Sequence, residues 1–314
     1  MPDWLVERGI GETRAILVEG GRIVEAHITL DGAVPAGTIL QAVLKQTGKP
    51  AVAAAGSSEF LLPNGPPGVT QGASFFIEVT REAIPGAEPW KRPLARLAEG
   101  PARPAPAFDG EALAFPAPTD RFEQAGWSDL VDEARSGTVR FAGGELRVSP
   151  TPAMTLIDVD GHLPPPELAL AGAVAAALAI RRHGIGGSIG IDLPTLSGKA
   201  HRQVVDAAID AHLPQPFERT AMNGFGFIQI VRPRRHASLF ELAQDQAAFE
   251  ARALLRRTAF EPGGPKRLVT HPAVIAVIEA HPGWAEALAR QVGGAIGLRP
   301  DASIPIHGGY AESF

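Results

Sequence analysis

Apolar and polar positions alternate through residues 12–30, ETRAILVE-GG-RIVEAHITL, with two glycines at the centre. Side chains on a strand point to opposite faces in turn, and Gly20-Gly21 can take the positive φ angles of a tight turn, so this stretch predicts a β-hairpin. Residues 38–45, 52–55, 60–62 and 74–80 read as further short strands, parted by glycine and proline clusters. Several short strands with turns between them suggest a small barrel or sandwich. Residues 100–118 (GPARPAPAFDGEALAFPAP) read as a linker or an extended crossing segment.

The period then changes. A short helix is expected over 127–135 and a hairpin over 138–148, turning at Gly143-Gly144. Residues 154–159 form an apolar run that suits a buried strand, and 166–183 an alanine-rich helix with proline at its start. A second apolar strand covers 188–191. Ser197 can cap a helix running to about residue 211, and strands follow at 220–222 and 225–231. This order predicts an α/β layer with its strands buried between helices. A helix capped by Ser238 runs to about residue 257, and EPGGPKR (261–267) ends it. Residues 268–269, two helices within 272–292 and a strand near 295–298 make a small α+β tail.

Composition narrows the chemistry. The chain has 314 residues, 45% of them hydrophobic and 20% charged, which is enough apolar material to fold. There is no cysteine, so disulfides, thiol nucleophiles and cysteine-based zinc sites are excluded, which fits a cytoplasmic protein. The start, MPDWLVERGIGE, lacks a basic segment followed by an apolar run, so no signal peptide is expected. The longest apolar stretch, residues 168–180, is shorter than the roughly 20 residues a membrane span needs, so no membrane partner is expected. A net charge of −5 argues against nucleic-acid binding. Residues 181–236 run the other way, with eight Lys and Arg against four Asp and Glu.

Two acids close apolar runs, Asp158 in TLIDVDG and Asp192 in SIGIDLP. Each should emerge at the carboxyl end of a strand, the edge where sites collect in open α/β sheets. On neighbouring strands, the two carboxylates would lie within reach of one hard cation, which takes oxygen ligands and often keeps its waters. Asp160, two residues on, shares the face of Asp158. The plainer reading is that such acids end strands or cap helices. Arg219, after a proline-bearing turn, can reach a phosphate or stand solvated. Arg232, Arg234 and Arg235 (VRPRRH) can track a polyanion or form a solvated strand end. Ser197-Gly198-Lys199 fails as a phosphate loop, because Leu193 stands where that motif needs glycine. His162, His183 and His201 have no ligand-type spacing.

At these residues the chain resembles the ribonuclease E/G family. FAGGELRVSPTPAMTLIDVDG (141–161) is similar to the segment leading to that family's first catalytic aspartate, and IRRHGIGGSIGIDLPTL (180–196) to the stretch reaching the second. KAHRQVVDAAI (199–209) is similar to the helix that follows, and FERTAMNGFGFIQIVRPR (217–234) to the Asn-Gly-Phe turn and basic strand after it. The resemblance implies a mixed α/β and α+β architecture. Residues 141–236 would form a DNase I-like catalytic subdomain, 1–37 with 98–140 an RNase H-like subdomain, 38–97 an inserted OB-fold of S1 type, and 237–314 a small C-terminal domain. It also implies an endoribonuclease cutting single-stranded RNA to leave 5′-phosphates. Asp158 and Asp192 would hold magnesium or manganese, with Asp160 in support and Arg219 on the scissile phosphate. Phe60, Arg81, Lys199, Asn223, Arg232 and Arg234 would bind RNA. For Phe60, a place in the barrel core is the equal alternative to base stacking.

The chain also departs from the family pattern. The space between the OB-like and catalytic parts is too short for a 5′-end sensor, which puts preference for 5′-monophosphorylated RNA in doubt. The zinc-link cysteines are missing, so a zinc-linked dimer is excluded while the oligomeric state stays open. Small residues replace an aromatic before Gly56, with Val52 at the matching position. The competing readings are a catalytically weak or inactive RNA-binding or regulatory relative, and an α/β phosphohydrolase acting on small molecules.

Overall fold

The computed structural model describes residues 3–86 and 91–314. Residues 87–90, within the expected barrel segment, lie outside them. The chain begins with β1 (Asp3–Arg8), β2 (Glu12–Glu19) and β3 (Arg22–Leu30), followed by β4 (Ile39–Gln46), β5 (Ala51–Ala55), β6 (Ser58–Leu62), β7 (Ser74–Arg81) and β8 (Leu94–Leu97). Next come β9 (Gly110–Leu113), α1 (Arg121–Gln124), α2 (Trp127–Ser136), β10 (Thr138–Phe141), β11 (Gly144–Pro150) and β12 (Thr155–Gly161). Then α3 (Pro165–Arg182), β13 (Gly187–Asp192), α4 (Lys199–His212), β14 (Glu218–Arg219) and β15 (Phe227–Arg232) follow in turn. The chain closes with α5 (Leu239–Leu242), α6 (Gln246–Ala259), β16 (Lys266–Thr270), α7 (Pro272–Ala280), α8 (Pro282–Val292), β17 (Ile296–Pro300) and β18 (Tyr310–Ser313). This is a mixed α/β protein with a closed five-stranded barrel and three open sheets among the described residues. It divides into two compact units, one of Met1–Asp31, Phe108–Arg135 and Leu242–Phe314, the other of Gly32–Ala107 and Ser136–Glu241.

In the first unit the expected hairpin forms, with Gly20 and Gly21 at φ 56° and 77°. The sheet runs β3-β2-β1-β9, and β9 adds a parallel strand from within the proline-rich crossing segment. A second sheet, β17-β16-β18, packs with α6, α7 and α8 around Leu254, Leu268, Val274, Ile278 and Leu288. Buried charge joins α6 to the first sheet. Arg14 bonds Glu7 and Glu12 at 2.6 Å each, Arg252 reaches Glu12 at 2.8 Å, and Arg256 reaches Glu7 at 3.0 Å and Asp120 at 2.7 Å. Three arginines balance three acids, which is the condition for keeping ions out of water. The Arg256 guanidinium also lies 4.8 Å from the centre of the Phe260 ring.

The second unit holds the barrel, ordered β4-β5-β6-β8-β7 and closed by the parallel β6–β8 contact. Alanines at 42, 51, 53 and 95 leave room for Phe60, Phe75, Leu44 and Ile77 inside it. The other element is a six-stranded sheet, β10-β11-β12-β13-β15-β14. Here the expectation of strands buried between helices fails. Burial alternates strictly along β12, with Thr155, Ile157 and Val159 inside and Leu156, Asp158 and Asp160 outside. The core formed with α3 and α4 (Ala173, Ala177, Ile180, Val205, Ile209) lies on one side, against Ile157, Ile189, Ile191, Ile228 and Ile230. That alternation is the pattern of a sheet covered on one face only.

Other expectations shift locally. Asp158 stands inside β12, which continues to Gly161 because β11 is long enough to pair with it. Ser197 does not cap α4; Gly198 holds the cap position without a side-chain bond. The helix expected from Ser238 breaks after α5, because Asp245 caps a new start at Ala248 N. Ser238 and Glu241 bond each other's backbone N–H groups as a capping box on the short α5. Among the described residues, no helix is long and apolar enough to cross a membrane.

Candidate active site

β12 and β13 run parallel with Thr155 opposite Ile189, Ile157 opposite Ile191 and Asp158 opposite Asp192. Parallel neighbours need a long crossover, which α3 supplies. Strands lie about 4.8 Å apart, so two side chains in register on one face can share a ligand. Both aspartates are exposed on the face that α3 and α4 leave open, and Asp160 stands one pleat further along the same face. Burial first, then the charges of Asp160 and Asp192, push the Asp158 carboxyl above its ordinary value, while Arg147 pulls it down. Three like charges thus repel one another at the edge of a solvated sheet. A cation relieves that repulsion, and an all-carboxylate donor set suits a hard one. Hard cations are often held by one or two carboxylates, with water and phosphate completing the shell.

The positive charge beside the aspartates is Arg147. It sits directly across from Asp158 on β11, 62% exposed, with its guanidinium 3.0 Å from Glu145 and 3.6 Å from Asp160. Beyond Asp160, a shallow cavity is lined by Arg140, Phe141, Glu145, Asp160 and His162.

On the other side of the pair the face turns apolar. Gly190 lies between Leu156 on β12 and Gln229 on β15. A Cβ there would come within 2.5 Å of the Phe227 ring and 3.0 Å of Leu156, so the glycine lets two apolar side chains meet beside the aspartates. Phe227 is itself opposite Asp192. The turn before it, Asn223 to Gly226, is closed by the Asn223 side chain, whose Oδ1 accepts from Phe225 N at 2.9 Å and Phe227 N at 3.0 Å. Gly226 has φ 95°, and a Cβ on it would run into the Leu193 carbonyl.

The remaining expected site residues lie elsewhere. Arg219 pairs with Ile230, three residues along β15 from the Phe227 that pairs with Asp192. An odd offset puts it on the opposite face of the sheet, the helix side. There it is held by Asp210 at 2.6 Å and Asp206 at 3.1 Å, both on α4, so it is not the cation of this site. Arg232 ends β15 on that same helix side, opposite Gly187.

Phe60 is 0% exposed, because its turn in the alternation of β6 points into the barrel. It is core, and no base can reach it. Arg81 donates to the Arg92 carbonyl at 2.7 Å, and burial first and then the nearby Arg234 lower its pKa. Arg234 pairs with Glu241, and Glu82 N bonds the Arg235 carbonyl at 2.8 Å. Arg81 and Arg234 therefore sit at a joint between the barrel and the segment after β15. Asn223 spends its carbonyl on the turn just described. Lys199 is exposed at the first residue of α4. His183 is fully buried with its ring 4.4 Å from Phe240, while His162 and His201 are exposed.

Sequence reasoning missed Arg147 and Phe225. Arg147 carried a legible signal, since GELRVSP alternates and places Arg147 on the polar face. Its nearness to Asp158 needed the β11–β12 register. No protein-family model matches the chain, and no curated protein gives a match.

Proposed function

We propose that the protein is a metal-dependent endoribonuclease of the ribonuclease E/G type, acting on single-stranded RNA in the cytoplasm. In that reading 141–236 is the DNase I-like catalytic part, 38–97 an S1-like OB barrel, 1–37 with 98–140 the RNase H-like part and 237–314 the small C-terminal domain. The observation that carries it is the register of Asp158 opposite Asp192 on two parallel strands, exposed on one face.

Asp158 and Asp192 would hold magnesium, or manganese with the same oxygen donors, and the bound ion would supply neutralising charge and a more acidic water. Arg147 takes the part that the resemblance gave to Arg219. Its exposed guanidinium, tethered loosely by Glu145 and Asp160, can swing onto the non-bridging oxygens of a phosphate at the aspartate pair. Asp160 keeps the Arg147 guanidinium near the pair without fixing it. Leu156, Gly190 and Phe227 form a drier floor beside the pair. Hydrolysis there leaves 5′-phosphate and 3′-hydroxyl ends.

The test is cleavage of end-labelled single-stranded RNA by wild type and Asp192→Asn, in magnesium and in EDTA. Cutting that needs magnesium and falls at least about 10³-fold in the variant is expected, the scale for loss of an electrostatic centre. RNA binding without cutting by wild type would replace the nuclease with a non-catalytic RNA-binding relative. Neither binding nor cutting would remove RNA altogether.

A further inference from the structure

Phe225 is 84% exposed, more than any other large apolar side chain among the described residues. Single exposed apolar residues are common and need no explanation. Phe225 differs in how it is held. Besides the two bonds that Asn223 Oδ1 accepts, Asn223 N donates to the Phe227 carbonyl at 3.0 Å and Leu193 N to the Gly226 carbonyl at 3.2 Å. The Thr195 hydroxyl donates to the carbonyl of Phe225 itself at 3.2 Å. Three of these five hydrogen bonds close the turn on itself, and two tie it to Leu193 and Thr195, just after Asp192. Glycines flank the ring, with open space around Gly224. The turn holds the ring out in water, two residues from the Phe227 that pairs with Asp192.

We infer that Phe225 is a stacking platform for an unpaired nucleobase of the strand whose phosphate lies at Asp158 and Asp192. The inference rests on the nuclease reading and adds to it a source of single-strand preference. A base can lie flat on an exposed ring only when it is not stacked within a duplex, and every base has a face for it, so the contact is tolerant of sequence. Asn223 is then a positioning residue: its side chain shapes the turn that presents the ring. Phe60, sealed inside the barrel, cannot take the stacking part.

The experiment measures binding of the full-length protein to a 12-nucleotide single-stranded RNA in EDTA, where cleavage is stopped. Each position carries in turn an abasic site or the fluorescent base 2-aminopurine. Phe225→Ala is expected to weaken binding of the intact RNA by about 5- to 150-fold, the range that stacking of one base implies. Phe225→Trp should keep the affinity, and Phe225→Leu, equally apolar, should not. One abasic position should cost the wild type about as much as Phe225→Ala does and cost the variant nothing further. The same position should show 2-aminopurine quenching that the alanine variant lacks. With magnesium added, the loss should appear in KM more than in kcat. Wild type that binds and cuts RNA, with Phe225→Ala equal to it in Kd and KM, overturns the stacking role alone. A Phe225→Ala variant that changes only self-association overturns it in favour of a contact between copies. Wild type with no affinity for single-stranded RNA overturns both this inference and the nuclease reading.

Discussion

The two units each gather charge, in opposite ways. In the first, Glu7, Glu12 and Asp120 are matched by Arg14, Arg252 and Arg256, and all but Asp120 are at most 5% exposed. In the second, Asp158, Asp160 and Asp192 stand exposed on one sheet face with Arg147 as their near cation. Burial explains the contrast. A charge removed from water must have its partner built in, so the first cluster is closed and has nothing left to offer a ligand. A charge left in water needs no partner to fold, so the second can stay under-neutralised and take its counter-charge from outside. The same residue types thus mark a structural joint in one place and a candidate site in the other, and exposure tells them apart.

The contrast can be broken most sharply at Glu7. Glu7→Gln removes the carboxylate that Arg14 and Arg256 share, leaving them only Glu12 and Asp120, and should cost about 3–5 kcal/mol, read from the urea midpoint. A variant as stable as wild type would mean that the buried cluster is not a closed one. Arg147→Ala should do the reverse. We expect kcat for RNA cleavage to fall about 10²-fold, the low end for losing one charge-stabilising donor, with the melting temperature unmoved. Unchanged kcat would return the search for the phosphate cation to Arg140 or Lys199. The smallest effect concerns pH. The folded pKa of Asp158 lies above its unfolded value, so as pH rises the unfolded chain releases this proton first. Without divalent cations, the group therefore lowers stability between the ordinary carboxylate range and its raised folded value, and has no effect below that window. Asp158→Asn should flatten the melting profile there slightly, because the site is solvated. A steeper profile in the variant would show that Asp158 is stabilised by a partner.

Much of the second unit was legible along the chain. Two apolar runs, each reaching an acid and joined by a helix-length segment, predict parallel strands with their acids near one another, and Asp158 and Asp192 are in register. The alternation in β12 also contained the open face, but the helices between the strands suggested cover on both sides. What stayed hidden was register between strands distant in sequence. Whether Arg219 shares a face with Asp192 depends on its pairing with Ile230, and one residue of slip would reverse the answer. Phe60 faced a similar ambiguity, since a five-residue strand does not say which parity points into a barrel. The buried cluster was illegible because its partners are up to 249 residues apart.

That separation bears on how the protein is made. A ribosome releases Glu7, Glu12 and Arg14 at the beginning of synthesis, and Arg252 and Arg256 only after the whole second unit has emerged. Until then Glu7 and Glu12 have only Arg14 between them, and Arg252 and Arg256 do not yet exist. The nascent hairpin should therefore remain open to protease while the barrel and the six-stranded sheet are already complete. A chain halted before α6 would keep its candidate site and lack the keystone of the other unit.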